Sequence, residues 1–208
     1  VLVFSQKNLA FLSMPKTAST SYIHALSPYA TITVKGPPNF KHMSLQKFDK
    51  VLRPVLEHNS QKTIETLAVI RHPLDWMSSW YRYRLRDSLD CSENSTAGIT
   101  FDEFVEHYMR NDPPRFARVG NQSSFLKPAG DRPKITHLFQ YEDQISLVEF
   151  LKNRLEKEFE LPVTNVSPKI RVQISPETEK NSDANVRINL SFGKMQGPTK
   201  YKETIVKG

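Results

Sequence analysis

Apolar residues in this chain come in short blocks whose internal spacing changes from one block to the next. Residues 9–14 (Leu-Ala-Phe-Leu-Ser-Met) make a compact apolar run that stops at Pro15, as a buried strand does. Small polar residues follow from Lys16 to Ser21, after which Tyr22, Ile23 and Leu26 fall at helical spacing. The order is strand, tight loop, helix. Residues 31–34 form a second β-branched run, closed by Gly36-Pro37-Pro38. Ser44 is placed to cap a helix with Leu45, Phe48, Val51, Leu52 and Val55 on one face, which Pro54 should kink or end.

The strongest strand signal is Thr-Leu-Ala-Val-Ile at residues 66–70. It ends at Arg71, and Pro73 then stands where the first turn of a helix tolerates proline. Thr100 and Glu103 form a capping box for a helix through Met109, stopped by Asp112-Pro113-Pro114. Residues 135–139 read as a strand, and residues 145–159 as an amphipathic helix ending near Pro162.

Strands alternating with helices predict an α/β domain, with a mostly parallel sheet and helices on both faces. The expected domain is 1–178. From Glu179 the periodicity collapses, and 179–208 is expected to be a loosely packed or disordered tail. In sheets of this kind ligands bind beyond the carboxyl ends of the strands, where the chain places its two most chemically loaded segments.

Composition narrows the picture in three ways. The 208 residues suffice for one α/β domain with a core. The net charge of +7 suits a polyanionic partner without saying which. The single cysteine, Cys91, excludes an intrachain disulfide and a multi-thiolate metal site, and reads as an ordinary loop thiol. No apolar run approaches the ~20 residues of a membrane helix. The chain opens on Val1 rather than Met, which leaves room for a signal or anchor upstream. A cytoplasmic location is therefore expected for a bacterial protein, and the Golgi lumen for a eukaryotic one with such an anchor.

The first loaded segment is Pro15, Lys16, Thr17, Ala18, Ser19, Thr20 and Ser21. It combines a helix start, one cation and four hydroxyls, a dense donor array for a phosphate-sized anion. A nucleoside-triphosphatase loop would need Gly-x-x-x-x-Gly-Lys-Ser/Thr, yet no glycine occurs before Gly36. The strand at 66–70 ends in Arg71 rather than in a magnesium-binding carboxylate, so no metal is expected at this site. The second segment pairs Arg71 with Ser79, an arginine fork and a hydroxyl suited to a terminal phosphate.

Taken together, residues 15–21 resemble the 5'-phosphosulfate loop of sulfotransferases that use 3'-phosphoadenosine 5'-phosphosulfate (PAPS). The closest likeness is to the carbohydrate-type family that includes heparan sulfate 2-O-sulfotransferase, and to its small bacterial members. Ile70-Arg71-His72-Pro73, with Ser79 and Tyr81 following, resembles that family's 3'-phosphate segment. A weaker similarity runs from about Leu9 to Ser167 and includes Tyr141-Glu142-Asp143.

The resemblance implies a P-loop-like three-layer fold and sulfuryl transfer from PAPS to a hydroxyl acceptor, a glycan or a small alcohol. It implies that Pro15, Lys16, Thr17, Ala18, Ser19, Thr20 and Ser21 hold the 5' end of the donor, and that Arg71 and Ser79 hold its 3'-phosphate. Lys16 would stabilise the leaving phosphate. His42, in Lys41-His42-Met43-Ser44, would be the base, with His72, Glu65 and Glu57 as remoter choices.

Arg82 and Arg86 share a helix face and, with Arg115 and Arg118, are candidates to meet an anionic acceptor. His24, His58, His107 and His137 show no metal-ligand spacing. Asn121 and Gln122 have no assignable role from sequence. The competing readings are a phosphoryl transferase with a degenerate nucleotide loop and a non-catalytic binder of PAPS or an anionic glycan. A nucleic-acid protein is disfavoured, because it would leave the phosphate loop and the Arg71–Ser79 spacing unexplained.

Overall fold

A computed structural model describes residues 1–58, 62–162 and Pro176; the expected tail from Glu179 lies outside them. Among the described residues the strands are β1 (Leu2–Phe4), β2 (Leu9–Leu12), β3 (Ile32–Thr33), β4 (Glu65–Ile70) and β5 (His137–Gln140). The α-helices are α1 (Ser19–Leu26), α2 (Pro38–Lys41), α3 (Leu45–Val51), α4 (Arg53–Glu57), α5 (Pro73–Arg84), α6 (Phe101–Tyr108), α7 (Gln122–Leu126) and α8 (Gln144–Leu155). The fold is α/β, built on one five-stranded sheet in the order β3-β1-β2-β4-β5.

The sheet is mixed rather than mostly parallel. β2 pairs in parallel with β4 and β4 with β5, whereas β1 is antiparallel to both β2 and β3. The departure comes from β1, a strand before Leu9 that the sequence reading did not assign. A single 3-10 turn over Ser5–Lys7 reverses the chain, and Asn8 closes it in the left-handed conformation at φ 49°. Asn tolerates that region better than most residues. Its side chain then donates to the Thr63 carbonyl at 2.8 Å, tying the hairpin to the entry of β4.

Alternation along the strands sends side chains to two cores. Leu2, Phe4, Leu9, Phe11, Leu67 and Val69 pack beneath α1 and α8 through Tyr22, Ile23, Leu26, Leu147, Leu151 and Leu155. Val1, Val3, Ala10, Leu12 and Ala68 pack on the other face against Leu45, Phe48 and Leu126. β4 is covered on both sides, which is why its sequence is apolar without alternation. A separate cluster joins α5 and α6 through Trp76, Met77, Tyr81, Phe101 and Phe104.

One local expectation holds and two shift. Pro54 breaks the expected helix into α3 and α4. Val51, the last residue of α3, and Val55, in α4, placed on the buried face by spacing, are instead 44% and 74% exposed. α8 ends at Leu155, where Glu156 takes a left-handed φ of 54°; Phe159 still returns to the core.

The α3–α4 corner is fixed by a buried charge. Arg53 Nε donates to Asp49 at 2.7 Å, and its Nη1 donates to Glu57 at 3.0 Å and to the Ile64 carbonyl at 2.8 Å. Asp49 also accepts from the Ala129 amide at 3.1 Å. Arg53 and Asp49 are almost wholly buried. Arg53→Ala leaves that acid without its cation and is expected to cost about 3–5 kcal/mol in urea unfolding. Val55→Ser on the exposed side of α4 should stay within about 0.5 kcal/mol of wild type. Equal effects would show that the buried pair does not hold the corner.

Candidate functional site

The parallel register of β2 with β4 sets Leu12 beside Ala68, so both strands end at the same edge of the sheet. The loop before α1 and the Arg71 segment before α5 leave from that edge. The first of these turns sharply without glycine: Lys16 and Ala18 adopt positive φ, 66° and 56°. For non-glycine residues that costs roughly 1–2 kcal/mol each, so something must hold the loop.

Four consecutive carbonyls do so. Ser13 O lies 2.7 Å from His42 Nδ1, and Met14 O accepts from the Thr17 hydroxyl at 3.0 Å. Pro15 O accepts from Trp76 Nε1 at 3.0 Å, and Lys16 O from an Arg71 guanidinium nitrogen at 3.3 Å. Every carbonyl from 13 to 16 is therefore tied by a side-chain donor. The start of α1 is different. Ala18 caps it without a side-chain hydrogen bond, which leaves the positive end of the helix to an anion.

Arg71 is held from several sides. Its amide donates to Gln122 Oε1 and its carbonyl accepts from Gln122 Nε2, both at 2.8 Å. Its guanidinium lies 4.3 Å from the Tyr141 ring centroid. The next amide, that of His72, donates to Glu142 at 2.8 Å. The Arg71 Nε is buried with no hydrogen-bond partner.

Lys16 projects onto aromatic faces of α5, its Nζ 3.9 Å from the Tyr83 centroid and 5.2 Å from that of Trp80. Burial, and then the charges of Arg86, Arg71 and Arg82, push its pKa down to about 7. Those three arginines therefore gather around the loop of residues 15–18. Ser79 is buried on α5, three residues after Trp76 and four before Tyr83. That spacing puts it on the face that looks onto Pro15 and Lys16.

His42 completes the site from the other side. A carbonyl only accepts, so its contact with Ser13 makes Nδ1 the protonated nitrogen and leaves the Nε2 lone pair available. Its pKa lies below the ordinary value, through burial first and then the neighbouring positive charges of Lys41, the amino terminus and Lys16, with the Ser13 bond opposing. Lys41 donates to the Thr20 hydroxyl at 3.0 Å, adding a cation to the start of α1.

The structure thus brings together Pro15, Lys16, Thr17, Ala18, Ser19, Thr20, Arg71, Ser79, Arg82 and His42, with Ser21 buried in the first turn of α1. The Thr17 hydroxyl donates within the loop, to the Met14 carbonyl. Arg86 lies over Tyr83 at 4.7 Å. Arg115 and Arg118 do not join the group: their guanidiniums pair with Glu93 and Asp112, both at 2.7 Å. Their backbone carbonyls are held by Arg84, a buried residue with no sequence signal.

Residues that sequence reasoning left without a role are Lys41, Trp76, Trp80 and Gln122. Only Lys41 carried a usable signal, its adjacency to His42. Among the described residues no group of three His, Cys, Asp or Glu is placed to hold a metal ion, and no helix is long and apolar enough to cross a membrane. Comparison with protein-family models, curated proteins and solved structures finds no match.

A lysine with pKa about 7 in the folded chain, against an ordinary 10.5, binds fewer protons folded than unfolded across that window. Its penalty is full below pH 7 and vanishes as pH approaches 10.5. Lys16→Met is therefore expected to be more stable than the ligand-free wild type by about 1–2 kcal/mol near pH 6. The gap should close as pH rises, measured by urea unfolding at pH 6, 8 and 9.5. A gap independent of pH would refute the electrostatic account.

Proposed function

We propose that the chain transfers a sulfuryl group from PAPS to a hydroxyl acceptor, a carbohydrate or small alcohol, on a P-loop-like three-layer variant of the α/β fold. One observation carries the reading: the Arg71 guanidinium donates to the Lys16 carbonyl, joining the two phosphate-type segments into one site beside His42.

In this reading the start of α1 and residues 15–21 hold the 5'-phosphosulfate, and Arg71 and Ser79 hold the 3'-phosphate. The acceptor oxygen attacks sulfur in line as the bond from sulfur to the bridging phosphate oxygen breaks. The acceptor proton passes to His42 Nε2, and the sulfuryl group leaves with the acceptor. The Lys16 ammonium faces the departing 5'-phosphate, whose charge restores its proton. Arg82 and Arg86 line the approach for an anionic acceptor. Arg115 and Arg118 drop out of that role, being already paired.

Titration calorimetry with 3',5'-adenosine bisphosphate, without added magnesium, tests the donor site. Arg71→Ala should lose about ten- to a hundredfold in affinity, the worth of one charge-assisted phosphate contact. Absence of binding to folded wild type would reject the reading. His42→Ala should keep donor affinity while losing turnover; retained turnover would remove His42 as the base. Because burial lowers the His42 pKa, the acid limb of the wild-type rate profile should fall below pH 6.5.

A further inference from the structure

Gln122 makes no contact with the phosphate loop in this structure, yet it is the residue most closely fitted to Arg71. Its amide oxygen accepts from the Arg71 N–H and its amide nitrogen donates to the Arg71 carbonyl, each at 2.8 Å. The side chain thus serves Arg71 as a neighbouring strand would. That substitution is needed, because the ladder has run out there. β2 pairs no further than Ala68, and β5 no further than Ile70. A primary amide is the side chain that offers a donor and an acceptor side by side.

The support behind Gln122 is rigid. It opens α7, whose cap Asn121 accepts from the Ser124 amide at 2.7 Å and from the Ser123 hydroxyl at 2.9 Å. Leu126, at the other end of α7, is buried in the core against α3 and the sheet. Position is thereby transmitted from the core, through one amide, to the backbone of Arg71. Tyr141 and the Lys16 carbonyl then orient the guanidinium.

We infer that Gln122 is a positioning residue that sets Arg71 for a phosphate at the 3' position of the donor, and so governs selection of the bisphosphate over a 5'-monophosphate. This rests on the donor site proposed above. The inference separates Gln122 from a merely structural residue, because its loss should be felt by one phosphate and not by the other.

The experiment measures affinities of wild type, Gln122→Ala, Gln122→Asn, Arg71→Ala and the Arg71→Ala/Gln122→Ala double variant. The probes are 3',5'-adenosine bisphosphate and adenosine 5'-monophosphate, with circular dichroism as the control for folding. Gln122→Ala should weaken the bisphosphate about tenfold and leave the monophosphate within twofold. Gln122→Asn, one methylene short, should fall with it. The double variant should bind no worse than Arg71→Ala, since Gln122 acts only through Arg71.

Equal weakening of both ligands, or additive effects in the double variant, would overturn the inference while leaving the donor site intact. Misfolded Gln122→Ala together with a Gln122→Asn of unchanged preference would overturn it too. Wild type that binds neither nucleotide would overturn the donor site, and this inference with it.

Discussion

The four tied carbonyls of residues 13–16 are the constraint on which the site depends. A loop between strand and helix can present its carbonyls or its amides, and only the amides suit an anion. Here four donors from four different parts of the chain engage the carbonyls. They come from the loop itself (Thr17), the segment after α2 (His42), helix α5 (Trp76) and the end of β4 (Arg71). The same bonds that orient the loop also place an imidazole and a guanidinium against it. Positive φ at Lys16 and Ala18 is tolerated because these contacts over-determine the turn.

That arrangement requires the parallel pairing of β2 and β4. Antiparallel strands would send Arg71 to the opposite edge from Lys16. β1 can be antiparallel without consequence, because it lies on the far side of β2 and contributes only apolar side chains to the two cores. The mixed sheet is thus a local departure that leaves the functional edge intact. Cohesion is supplied away from that edge by the two cores and by Arg53 with Asp49, so the edge itself can carry repelling cations.

Much of this was legible in the sequence, for identifiable reasons. The apolar block at 66–70 gave β4 because both of its faces are covered, and the Thr100–Glu103 box formed as expected, with both reciprocal bonds present. Pro15, Lys16 and Arg71 were found because strand ends next to helix starts are few and their polar content is dense. Val51 and Val55 were misplaced because helical spacing assumes one unbroken helix, whereas Val51 stands at the end of α3 and Val55 in the separate α4. Gln122 was invisible in principle. Its role is to satisfy a backbone 51 residues away, and a side chain that bonds to backbone leaves no pattern at its own position. The same holds for Trp76, which reads as a core aromatic while its ring nitrogen holds Pro15.

The placement of acids decides what the excess positive charge is for. Several cations away from the loop have acidic partners: Arg53 with Asp49 and Glu57, Arg115 with Glu93, Arg118 with Asp112, Arg154 with Glu65, and Lys152 with Glu158. Around the loop the pattern reverses. Among the described residues none of Lys16, Lys41, Arg71, Arg82 or Arg86 has a carboxylate within 4.0 Å, and three of the arginines depress Lys16. A surface evolved to track a long polyanion would spread unpaired cations along a face. Here they converge on one strand edge, at the start of one helix, an arrangement that a bound anion would relieve. Under the proposed function, charge that destabilises the empty site would become affinity for the phosphates of the donor.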